Sequence, residues 1–128
     1  MSMSLLVVRF DKKNSRLNAN YNTESKKVYV NEFINDYIDE DFLSEFKVYE
    51  DDEVYFYREI NVDELFIKLE SSLKDEKYSC SNINKLTRIQ EVKDIAQEMV
   101  LINELNLLCS RYYQLKTSSR DEVKLITA

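Results

Sequence analysis

From residue 81 to 116 apolar side chains recur every three or four positions, with no Gly or Pro to interrupt them. Ile83, Leu86, Ile89, Val92, Ile95, Met99, Ile102, Leu105, Leu108, Tyr112 and Leu115 carry the pattern. Such spacing predicts a helix of many turns. Ser81 and Asn82 are N-cap types, and Thr117-Ser118-Ser119 is a stop. On a wheel of about 100° per residue, Leu86, Ile89, Val92, Ile95, Ala96, Met99 and Val100 share one side. Leu101, Ile102, Leu105, Leu108, Cys109, Tyr112, Tyr113 and Leu115 are centred roughly 180° away. One straight helix on one surface does not change sides. The helix is therefore expected to bend near Val100, to be covered on both sides, or to offer one half-face to a partner or a second copy. Asn103 and Asn106 fall off the second stripe and are expected in solvent.

The remaining pattern is shorter in period. Residues 4–10 form a β-branched apolar run that reads as a buried strand. Leu17, Ala19 and Tyr21 alternate with asparagines, and residues 28–30 offer a third strand. Asn31 caps an expected helix to about Phe46, with Phe33, Ile34, Tyr37, Ile38, Phe42 and Phe46 on one side. Residues 47–50 and 54–60 read as a hairpin around the turn Glu50-Asp51-Asp52-Glu53. Asn61 with Glu64 is a capping box opening a helix whose core face is Leu65, Phe66, Leu69 and Leu73. The tail, 117–128, is expected to add an edge strand through residues 123–126 or to fray. This order predicts one α+β domain over residues 1–128. Its antiparallel strands, an N-terminal meander and a central hairpin, pack with three helices, the C-terminal one long and central.

Composition removes whole classes of chemistry. With no Gly in 128 residues, phosphate loops, dinucleotide fingerprints and nucleophile elbows have no backbone to form on. With no His, the usual triads and imidazole metal sites are missing. Cys80 and Cys109 are too few for a zinc cage or a disulfide framework, so reduced thiols are expected. No apolar run reaches spanning length, and no membrane contact is expected; the expected location is cytoplasmic. The abundance of Ile, Asn, Lys and Tyr fits AT-rich coding, as in a low-GC bacterium, a phage or a mobile element.

Charge sharpens the picture. The net charge is −6, yet residues 1–31 balance at +4, residues 65–128 at +1 and residues 32–64 at −11. The acidic segment also holds eight of the fifteen aromatics. One account makes its carboxylates a solvated face. The other makes Asp36, Asp39, Glu40, Asp41, Glu50, Asp51, Asp52 and Glu53 a surface that steers a basic protein, with Tyr37, Tyr49 and Tyr55 as contact area. Tyr57 is a further aromatic of that surface. Such a surface repels nucleic acid and resembles its phosphate backbone to any protein that binds it.

Other sites fare worse. The cluster at 36–41 lacks the glycine that a calcium loop needs. Glu-x-Lys pairs at Glu24/Lys26, Glu45/Lys47, Glu91/Lys93 and Glu122/Lys124 are what chance gives in a chain this rich in both residues. No metal or cofactor is expected. In composition the chain resembles small acidic inhibitors of bacteria and phages, immunity proteins or antagonists of host defence nucleases. That resemblance implies a cytoplasmic inhibitor of a basic, nucleic-acid-handling protein. The alternative is an acidic chaperone or adaptor holding an extended segment of its partner; an enzyme is the third reading, disfavoured by the missing acid, base and nucleophile sets.

Overall fold

Strand β1 (Ser4–Asp11) is buried on both faces over Leu5, Leu6, Val7 and Val8, which requires a layer on each side of it. The computed structural model describes residues 3–17, 27–118 and 120–128. After β1 come β2 (Arg16–Leu17), β3 (Val28–Tyr29), α1 (Glu32–Asn35), β4 (Leu43–Glu50) and β5 (Glu53–Ile60). Then follow α2 (Val62–Leu73), α3 (Cys80–Lys85), α4 (Ile89–Ser118) and β6 (Glu122–Thr127). The strands pair antiparallel in the order β2-β1-β6-β5-β4. The fold is the expected single α+β domain.

The tail is neither an edge nor frayed. Strand β6 lies between β1 and β5, with Leu125 and Ile126 fully buried. Val123, Leu125 and Ile126 with the buried Lys124 between them explain why: a strand buried on both faces reads as a run, not as an alternation. The N-terminal strands also differ in detail, since β2 and β3 both pair with the outer edge of β1 and not with each other. Of the expected second strand only Leu17 is described; Ala19 and Tyr21 lie outside the described residues.

Helices cover one face of the sheet. Leu5, Val7, Val123 and Leu125 meet Leu65 and Leu69 of α2 and Ile102, Leu105, Leu108 and Cys109 of α4. On the other face Leu6, Val8 and Ile126 form a second, small core with Leu17, Phe46 and Tyr57. The β4–β5 hairpin folds over this face. Phe46 stands edge-on to Phe10 at 5.2 Å, and the Tyr49 N–H donates to the Ser15 carbonyl at 2.8 Å.

Two expected helices change form. The helix predicted over 31–46 is one turn, α1, capped by Asn31 Oδ1 on the Ile34 N–H at 2.9 Å. A 3-10 turn at Glu40–Phe42 follows, and Phe46 sits in β4. Eight consecutive register pairs with β5 outweigh a helical spacing that was real only from Phe33 to Tyr37. The long helix begins later than expected. Ser79 caps α3, the chain extends at Leu86, and α4 then runs unbroken through Val100. Of the box expected at Asn61 the N-cap half forms, the Asn61 side chain accepting from the Glu64 N–H at 3.2 Å, while the Asn61 N–H donates to the Phe42 carbonyl at 2.7 Å in place of the Glu64 side chain.

Helix α4 is not covered on both sides, nor does it break near Val100. Its second stripe is core, with Ile102, Leu105 and Cys109 fully buried. Of the first stripe Ile95 is buried, but Ile89 is 74% and Val100 57% exposed. No helix of the described residues is long and apolar enough to cross a membrane.

Candidate functional site

The acidic segment separates into two clusters at opposite ends of the β4–β5 hairpin. Seven strand residues, Leu43 to Tyr49, lie between them, about 24 Å at the usual rise. At the base, Asp39 is tied to α2: Lys68 Nζ sits 3.2 Å from its carboxylate and 2.7 Å from the Asp36 carbonyl. The same ammonium lies over the rings of Tyr37 and Phe42. Tyr37 is buried, in edge contact with Phe33. It belongs to the core, so its part as a contact residue is corrected. Asp36, Glu40 and Asp41 remain exposed.

At the tip the four carboxylates Glu50, Asp51, Asp52 and Glu53 are consecutive and exposed. Among the described residues none of them is ion-paired. Asp51 and Asp52 both take positive φ, 50° and 63°. Two successive residues in that region make the tight turn whose twist matches a hairpin. Glycine would do this freely; here Asp, which tolerates the left-handed region better than most residues, takes its place. The register sets Glu50 opposite Glu53, like charge against like. Tyrosines answer this crowding. The Tyr55 hydroxyl donates to Glu53 at 2.7 Å and the Tyr57 hydroxyl to Glu50 at 3.4 Å. Its bond to Glu53, with the surrounding carboxylates, holds the Tyr55 phenol above its ordinary range.

Register also sorts the hairpin's two faces. Phe46, Val48 and Tyr57 point toward the second core. Tyr49, Val54 and Phe56 point the other way and are 41%, 44% and 63% exposed. Lys47 lies over the Tyr49 ring at 4.9 Å. An apolar patch thus borders four carboxylates that have no ion pair among the described residues. Val54 and Phe56 were not among the expected contact residues. Their signal was present in Val54-Tyr55-Phe56-Tyr57, a strand apolar on both faces beside an acidic turn.

One side of β5 is also open. It pairs with β6 through Arg58 and Glu59, whereas residues 53–56 have a register partner only in β4 among the described residues. A groove of about 680 Å³ runs beside this stretch, lined by Met3, Ile38, Glu40, Leu43, Phe56 and Arg58 among others.

Comparison of the chain with protein-family models, with curated proteins and with solved structures returns no match.

Proposed function

We propose that this chain is a small acidic protein-binding inhibitor that neutralises a basic, nucleic-acid-handling partner through the distal half of the β4–β5 hairpin. The observation that supports it most is the apolar patch of Tyr49, Val54 and Phe56 set directly against the exposed carboxylates Glu50 to Glu53. Carboxylates that no cation engages among the described residues raise the on-rate for a basic surface. Exposed aromatics beside them supply the desolvated anchor that interfaces concentrate. Neither feature stabilises the free chain. Like charges in register and side chains in the left-handed region both work against it.

The basal carboxylates have a lesser part, because Lys68 already engages Asp39. Affinity capture from the source cell tests the reading, with wild type, a tip-neutral variant (Glu50→Gln, Asp51→Asn, Asp52→Asn, Glu53→Gln) and Phe56→Ala. A basic protein should be held by wild type, lost by the tip-neutral chain and weakened by Phe56→Ala, with salt slowing its association. A partner held equally by all three would end the proposal.

A second reading, an adaptor holding an extended segment, is favoured by the open side of β5 and the groove along it. Strand addition there would satisfy backbone groups of residues 53–56. It predicts a captured peptide whose binding survives tip neutralisation.

A further inference from the structure

Helix α4 carries a second apolar face that the fold does not use. Ile89, Val92, Met99, Val100 and Leu107 are all exposed, with Ala96 between them. The stripe is about 27 Å long at 1.5 Å per residue. We infer that this face is an interface between two copies of the chain, packed antiparallel about a two-fold axis near residues 98 and 99.

A two-fold interface must be complementary to itself. Ile89, Val92, Ala96 and Met99 follow the alternating three and four spacing of a helix-pairing seam. The midpoint of the stripe, from Ile89 to Leu107, is residue 98. Antiparallel pairing about that point brings Ile89 of each copy to Leu107 of the other. There a hollow of about 400 Å³, walled by Val28, Val100, Leu107 and Leu108 and rimmed by Asn103, Glu104 and Arg111, can receive it. Ile89 is the most exposed large apolar side chain described. Knob and hole lie at the two ends of one stripe.

Charge selects the direction. Lys93 and Glu104 flank the stripe on the same side, at about 40° and 60° around the helix from Ile89. They lie five and six residues from that midpoint, on opposite sides of it. Antiparallel pairing sets Lys93 of each copy against Glu104 of the other, twice. Parallel pairing would instead set Arg88 of one copy against Lys93 of the other, across the seam. Neither Lys93 nor Glu104 has an ion pair among the described residues. One helix stripe buries less than the roughly 800 Å² per partner of a standard stable interface. The dimer is therefore a reversible one that forms with concentration.

Sedimentation equilibrium over a wide concentration range tests this. Wild type should rise from the 15.3 kDa of one chain toward twice that mass. Val100→Glu should stay monomeric while melting like wild type. Lys93→Glu and Glu104→Lys should each weaken association about tenfold, the equivalent of 1.4 kcal/mol. The double charge swap should restore it. A wild-type chain that remains monomeric throughout overturns the inference and leaves the stripe to some other partner. A dimer indifferent to Val100→Glu, or not rescued by the swap, overturns it too.

Discussion

Lys124 and Glu59, 65 residues apart in sequence, meet at 2.9 Å on the second face of the sheet. The lysine side chain is only 6% exposed, whereas Glu59 is 31% exposed. The ammonium also reaches Glu122 at 3.3 Å and lies over Phe46 and Phe10 at 4.7 and 5.3 Å. It stands where the hairpin folds onto β6 and β1.

The two partners of this contact should respond unequally. Removing a buried cation's nearest carboxylate leaves the cation poorly compensated, so Glu59→Gln is expected to cost about 1–3 kcal/mol. Lys124→Met puts an apolar chain of similar length between the two rings, and its carboxylate partners can turn to water. It should stay within about 1 kcal/mol of wild type. Urea denaturation of both variants measures the difference, and the reverse order would mean that the ion pair itself holds the hairpin down.

The turn at Asp51 and Asp52 makes a prediction in the opposite direction. Asn-Gly is the preferred pair for this conformation, and a non-glycine residue in the left-handed region costs on the order of 1 kcal/mol. Asp51→Asn with Asp52→Gly should raise the melting temperature by a few degrees. The same change should weaken capture of a basic partner. A variant that gains stability and keeps full binding would separate the tip from function.

Alkaline behaviour follows from three protons. Burial pushes the Cys109 thiol up to about 11. Burial, then hydrogen bonds to Glu98 and Asp63, raise the phenols of Tyr78 and Tyr113 above their ordinary range. Each group holds its proton more tightly folded than unfolded, so the native state binds more protons in base. Their contribution is complete below the ordinary thiol and phenol values and is lost as pH rises through the folded ones. The urea midpoint should thus be level from about pH 7 to 8 and fall above about pH 9. A thiol reagent near pH 8 should label exposed Cys80 in the native chain and buried Cys109 only on unfolding.

What could be read from sequence divides along physical lines. Segments whose local preference and tertiary role agree were legible: β1, the N-cap at Asn61 and the 3.6-residue period of α4. Where a neighbour decides, they were not. Phe33 to Phe46 keeps near-helical spacing, but Leu43 to Glu50 gains eight strand partners that no local pattern announces. Residues 123–126 looked like an edge because periodicity cannot tell a short buried strand from a loose apolar tail. Both stripes of α4 were visible on the wheel. Which one the sheet would cover was not, since both are apolar. The acidic segment behaved likewise: its composition was plain, but only pairing showed that Asp39 is tied to Lys68, that Tyr37 is core, and that Glu50 to Glu53 stand apart.

The half-paired length of β5 has a colloidal consequence. A strand with one neighbour is a template onto which another molecule's backbone can zip, and an exposed Phe56 makes that contact adhesive. At neutral pH the row of carboxylates at the end of the strand keeps copies apart. That guard weakens as the solution nears the chain's isoelectric point, about 4.8, where the net charge vanishes. Mild acid should thus convert a well-behaved solution into one that gels or precipitates through ordered strand growth, before the core itself has opened.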